Sequence, residues 1–209
     1  EYQSEPSPQE DLAKIPLLAR EDIDKKAQPF QNELRKAGDT DVLYHDLFTN
    51  GIGYVDLVFR AGGIPVELIP YLGLLKAALG QLDTEHYGDF ANELNLHTGG
   101  ISCSVGSYDS VQNPRDYTAV FEVKSKALYE EEPVAFAMLR EMLMTSKLHD
   151  KKRLKEIVAE TKSRQQMAFQ TSGHSMAALR AMSYFSSSAA FSDMTGGVDF
   201  YHFIEDLDT

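Results

Sequence analysis

The chain has 209 residues, enough for one large domain or two small ones, and its 43% hydrophobic content supplies a core and excludes a disordered class. Its formal net charge of −12 argues against a nucleic-acid binder, which needs a basic footprint. The single cysteine excludes an intrachain disulfide and fits a reducing compartment, and no window offers the roughly 18 apolar residues of a membrane span.

Residues 1–39 read as a lead-in from a preceding domain. Pro6, Pro8, Pro16 and Pro29 interrupt any helix, and charges alternate in sign from Arg20 to Lys26. Glu1 to Asp11 is polar and acidic, unlike a signal or transit peptide. With no initiator methionine and no evident close at Glu205 to Thr209, the sequence is expected to be a segment of a longer protein.

Strand signals begin near Thr40, where Val42, Tyr44 and Asp46 alternate with Leu43, His45 and Leu47. Thr49-Asn50-Gly51 is a turn signal, and Tyr54 to Arg60 follows with Val55, Leu57 and Phe59 on one face. The pattern predicts a hairpin of two long strands over 40–60.

Leu68, Leu72, Leu75, Ala78, Leu79 and Leu82 have helical spacing and predict a helix over 66–82, with Pro65 and Pro70 near its start, where proline is tolerated. A second helix is expected from Tyr87 to Leu96, ending before Gly99-Gly100. Ile101, Cys103 and Val105 then alternate with Ser102, Ser104 and Gly106. Tyr117, Ala119, Phe121 and Val123 alternate with Thr118, Val120, Glu122 and Lys124, which completes a second hairpin. Each strand is apolar on one side and mostly polar on the other, as in a sheet covered on one face.

The remainder reads as helical: 131–145, 150–170, a break at Gly173, Ser175 to Ser187, and a short last helix from Asp199 to Leu207. Ser186-Ser187-Ser188 reads as a low-complexity tract. Strands followed by helices indicate an α+β fold: two layers, a mainly antiparallel sheet with helices on one face, in a domain spanning 40–209.

Catalytic constellations are missing. No two of His45, His86, His97, His149, His174 and His202 stand four apart, the spacing that puts two imidazoles on one helix face to bind zinc. Glu85-His86 lacks a second ligand and reads as a solvated helix lead-in, and His97 as a helix-terminus residue. Glu130-Glu131-Glu132 before Pro133 complements a helix start, and Lys151-Lys152-Arg153 reads as a solvated face. Cys103 reads as buried filler. There is no G-x-S-x-G elbow and no Walker loop.

The order of these signals is similar to one repeat of the insulinase/pitrilysin family of zinc peptidases. The counterparts are Leu57-Val58-Phe59-Arg60-Ala61-Gly62, the helix at 66–82, the helix at 87–96, Thr98-Gly99-Gly100-Ile101-Ser102, Tyr117 to Val123, and the helices at 131–145 and 150–170. The phrase His97 to Ser110 resembles the C-terminal half of the presequence-protease branch most closely. Where the family's H-x-x-E-H helix falls, this chain reads Tyr71-Leu72-Gly73-Leu74-Leu75-Lys76-Ala77-Ala78-Leu79, which supplies no zinc ligand.

The resemblance implies a non-catalytic third domain, opening the C-terminal half of a peptidase whose halves close around a chamber. Zinc would sit in the parent's N-terminal half and not in this segment, and no catalytic residue carries over. The partners implied are the other domains of the same chain and unfolded peptide substrates, with no nucleic acid and no membrane. The location implied is cytoplasmic, or a mitochondrial or plastid matrix for a eukaryotic parent. The polar sheet face is the candidate chamber wall, lined by Ser102, Ser104, Thr118, Glu122 and Lys124. A non-enzymatic scaffold subunit is one alternative, favoured if the parent lacks H-x-x-E-H. A peptide-binding module using an exposed sheet edge is another, favoured if the isolated domain binds extended peptides.

Overall fold

The computed structural model describes residues 5–26, 29, 31–113 and 116–208. Parts of the expected lead-in (1–4, 27–28 and 30), the turn residues 114–115 and the terminal residue 209 lie outside them. The described chain falls into two compact units, one up to Phe48 and one from Thr49.

The first unit carries a single helical turn, α1 (Gln9–Leu12), and a hairpin of β1 (Glu33–Ala37) and β2 (Thr40–Tyr44). The two strands pair antiparallel from Glu33↔Tyr44 to Ala37↔Thr40 across Gly38-Asp39. Gly38 has φ 62°, the left-handed conformation that a tight two-residue hairpin turn requires and that glycine adopts without steric cost. This corrects the hairpin expected over 40–60. β2 pairs backward with β1 inside the expected lead-in, because a Gly-Asp turn closes that contact locally.

In the second unit the turn at Thr49–Gly51 forms, with Asn50 and Gly51 both at positive φ, but it leads into a strand that pairs elsewhere. β3 (Ile52–Arg60) lies antiparallel to β5 (Tyr117–Leu128), from Ile52↔Leu128 to Arg60↔Val120. β4 (Ile101–Asp109) lies against the other side of β5, from Ile101↔Ser125 to Asp109↔Tyr117, as the second expected hairpin requires. The sheet order is therefore β3-β5-β4, with the two crossover helices leaving room for β5 between β3 and β4.

Those helices are α2 (Ile69–Ala78), entered through a 3₁₀ turn at Val66–Leu68, and α3 (Phe90–His97). α3 starts three residues later than expected because the Asp89 side chain caps it, accepting from the Asn92 N–H at 3.3 Å. α4 (Glu132–Thr145) follows β5 through a 3₁₀ turn at Tyr129–Glu131. Phe90, Leu94, Phe121, Val123, Met138, Leu139 and Met142 form the main core, flanked by Val55, Leu57, Leu72 and Leu75. Thus α2, α3 and α4 cover one face of the sheet, giving the α+β layering.

α5 (Lys151–Ser183) is capped by Asp150, which accepts from the Arg153 N–H at 3.0 Å. It breaks at Ser172 (φ −137°, ψ 32°), one residue before the glycine that predicted the break. The serine tract proves to be structural: Ser186 caps a helix that the sequence reading did not include, α6 (Ser187–Gly196), by accepting from the Ala189 N–H at 3.2 Å. α7 (Val198–Leu207) follows. Phe191 of α6 joins Ala61 and Ala119 at one end of the sheet, and Phe200 and Ile204 of α7 pack with Val158 of α5.

Candidate functional site

The first candidate is the stretch in which the resemblance places a metal-binding helix, and that stretch is α2. Its leucines and Ala78 serve packing. Leu72 and Leu75 meet the main core, Ala78 meets Leu82 and Ile157, and Leu74 meets the α5–α7 cluster. Gly73 lies close against α6 and α7. A Cβ placed there would lie 2.5 Å from Phe200 Cε2 and 2.6 Å from the Thr195 carbonyl oxygen. A ligand side chain at that position has no room. Among the described residues no three His, Cys, Asp or Glu side chains gather where they could share a metal ion, so this chain's residues do not fit the family's zinc.

The second candidate is the sheet face opposite the helices. Strand alternation puts Asp56 of β3, Ser102, Ser104 and Tyr108 of β4, and Thr118, Glu122 and Lys124 of β5 on it. Glu122 is its centre and is only 9% exposed. Its carboxylate accepts from the Tyr108 hydroxyl in a short hydrogen bond and from Ser104 Oγ at 3.1 Å. Lys124 Nζ bridges Glu122 Oε2 at 3.2 Å and Asp56 Oδ2 at 3.1 Å.

These contacts set the protonation states. The Tyr108 hydrogen bond, then those from Lys124 and Ser104, hold Glu122 below the usual carboxylate range. The same bond raises the Tyr108 phenol, and Asp56 followed by Glu122 raises the Lys124 ammonium. A carboxylate held ionised by three donors is a poor proton acceptor near neutrality. The face therefore suits recognition: two carboxylates against one ammonium, an excess of one negative charge, ringed by hydroxyls.

Of the five residues singled out from sequence, the structure joins Ser104, Glu122 and Lys124 in one network. Ser102 lies opposite Lys124 in register, and Thr118 opposite Tyr108, both exposed. Sequence reasoning missed Tyr108 and Asp56. Carrying the Ser102–Ser104 alternation two steps further reaches Tyr108, and Asp56 sits between the inward-facing Val55 and Leu57.

The other flagged groups are paired locally. His86 Nδ1 lies 2.9 Å from Glu141 Oε1, and His97, the last residue of α3, lies 3.2 Å from Glu131 Oε2. Glu132 opens α4 beside Pro133. Cys103 is half-buried, and desolvation pushes its thiol up to about 11, which makes it unreactive near neutrality.

Comparison with known proteins places these features in context. The family described as Peptidase M-16C associated matches residues 1–207. The chain is 33% identical to "Protein HypA" of Clostridium perfringens over its full length, covering 22% of that protein. It is 27% identical to "Presequence protease 1, chloroplastic/mitochondrial" of Arabidopsis thaliana over 99% of the chain and 19% of the relative. It is 30% identical to "Presequence protease, mitochondrial" of Yarrowia lipolytica over 76% of the chain and 16% of the relative. The chain spans about a fifth of the length of the curated relatives it matches.

Proposed function

The chain belongs to the Peptidase M-16C associated family, a region of presequence-protease-like peptidases of the insulinase family, and on that premise we propose that it is a non-catalytic structural domain of a zinc-dependent peptidase, forming part of the wall of a closed peptide-degrading chamber. The observation that carries the reading is the packing of α2, whose Gly73 leaves no space for a metal ligand. The zinc and the chemistry then lie in the N-terminal half of the parent chain.

The open face around Glu122 is the wall in this reading. Its excess negative charge favours basic segments of unfolded peptides through long-range attraction that salt weakens. Exposed apolar side chains elsewhere, including Met167, Tyr184 and Phe185 along and just beyond α5, support docking to the other domains of the parent. The unit up to Phe48, which holds the β1–β2 hairpin, joins the domain to the one before it. The compartment proposed is the cytoplasm, or a mitochondrial or plastid matrix, as two relatives' names suggest for them.

The test uses the full-length parent with Asp56→Asn and Asp56→Lys, changes at a half-exposed side chain that leave Glu122 in place. Under the wall reading, KM for an arginine-rich peptide rises by about threefold or more, further for the lysine variant, and less at high salt. KM for a neutral peptide stays unchanged. Equal KM values for both peptides in all variants would remove this face from the chamber.

A further inference from the structure

A cavity of about 590 Å³ opens between α2, α3, the start of β4 and α5. It borders the sheet at the edge strand β4, where Ser102 and Cys103 line it, and its α2 wall is the stretch that lacks the zinc motif. In a chain of net charge −12, the only charged side chains lining it are Lys76 and Arg164, and no carboxylate lines it among the described residues. Lys76 is largely withdrawn from water. Its Nζ donates to the Thr195 carbonyl oxygen at 3.3 Å, and no carboxylate among the described residues pairs with it. Burial, and then the nearby Arg164, lower its pKa. Arg164 is half-exposed and leans toward Glu160 at 3.7 Å.

Thr161 supplies an independent sign. Ser163 and Thr171 on the same helix donate to carbonyl oxygens four residues back, at 3.0 Å each, the usual recourse of a helical hydroxyl. Thr161 lines the cavity, is only 5% exposed, and its Oγ1 has no partner. Gln165 Oε1, one turn on, is also buried without a partner, but as an acceptor it offers an anion nothing. A part-buried ammonium without a counter-charge and a buried unpaired hydroxyl each carry a desolvation cost that an anion accepting from both would relieve. The remaining lining includes Leu79, Leu94, Ile101 and Phe200, which suits an apolar body behind the charge. One withdrawn ammonium balances a monoanion better than a dianion.

We propose that this cavity binds a carboxylate with an apolar body, either a small organic acid or the C-terminal end of a peptide, with Lys76 and Thr161 holding the carboxylate. The cavity shares Ser102 with the chamber-facing sheet but none of the Glu122 network, and it stands whether or not that face is a wall.

The test is calorimetric titration of the 209-residue chain with N-acetyl-leucine, its neutral amide, N-acetyl-Ala-Ala-Leu and inorganic phosphate. N-acetyl-leucine should bind with Kd of about 0.1–1 mM and the amide at least tenfold more weakly. Lys76→Met and Thr161→Val should each weaken the acid, the first by about tenfold or more, with far-UV circular dichroism unchanged. Arg164→Gln, at a half-exposed side chain, should weaken it about twofold. Tighter binding of the tripeptide would identify peptide ends as the source and equal binding a small acid, and both sustain the site. No binding up to about 10 mM, equal binding of acid and amide, phosphate competing as well as the acid, or an affinity unmoved by both Lys76→Met and Thr161→Val would each overturn it.

Discussion

Gly73 of α2 faces Phe200 of α7 so closely that an added Cβ would come within 2.5 Å of the ring. Phe200 is 1% exposed, and the second close atom is a backbone oxygen, so neither can move aside cheaply. Gly73→Ala gains about 1 kcal/mol of helix propensity and loses about 1–3 kcal/mol to overpacking. Urea unfolding should therefore show a net loss of stability, and Gly73→His should lose more. Rebuilding a metal ligand at this position should break the domain before it binds zinc. An unchanged midpoint for Gly73→His would show that α2 is not held as described.

Glu141 makes the acid side of stability testable. The Thr145 hydroxyl, shared with Glu141's own carbonyl oxygen at 2.9 Å, is the largest influence on its carboxyl, followed by the ring of His86 and the hydroxyl of Thr84. Together they hold it at about 2. Because the folded pKa lies below the unfolded one, of about 4.3, the contribution is complete above that value and is lost as pH falls toward 2. The Glu141→Gln variant should lose less stability than the parent sequence between about pH 4.5 and 2, as read by denaturant midpoints. Parallel losses would contradict the assignment.

The Cys103 thiol, held at about 11 by desolvation, should be slow toward iodoacetamide in the folded chain. At pH 8 its thiolate fraction is lower than that of a free cysteine by roughly 200-fold, and alkylation should slow by a similar factor. In denaturant the difference should vanish. Rapid labelling of the folded protein would mean that β4 opens readily or that the thiol is not desolvated.

Asp193 is fully buried at the α6–α7 junction. It accepts from the Val198 N–H at 2.8 Å and pairs with Arg180 Nη1 at 2.6 Å. Arg180 also reaches Asp199 at 2.7 Å. Arg180→Met leaves the buried carboxylate with its backbone donor alone, and should lower Tm by about 4 °C or more. Asp193→Asn in the same background should recover part of that loss. Additive losses would show that the two side chains act independently.

Patterns of local origin were readable before the structure. The alternation at Ile101 to Val105 and Tyr117 to Val123 carried the β4–β5 pair, and the apolar stripe of 131–145 carried α4. The pairing of β3 was not readable, because Val55, Leu57 and Phe59 fit any neighbour, and the partner lies more than sixty residues away on β5. The β1–β2 hairpin was hidden by surrounding prolines, although Gly38-Asp39 was its signal. α6 was hidden by its own cap, since three serines in a row look like a linker until Ser186 is seen to accept from Ala189. At the site, Glu122 and Lys124 stood out by type. Tyr108 joined them only once register set it across from Thr118, beside the Glu122 carboxylate.

The most direct test of the non-catalytic reading is the zinc content of the purified 209-residue chain, measured by elemental analysis after equilibration with trace zinc and dialysis. No zinc should be retained, with His86 left on Glu141 and His97 on Glu131. One tightly held zinc per chain would contradict that reading, because those histidines and acids would then have to regroup into a site that the packing of α2 and α3 does not provide.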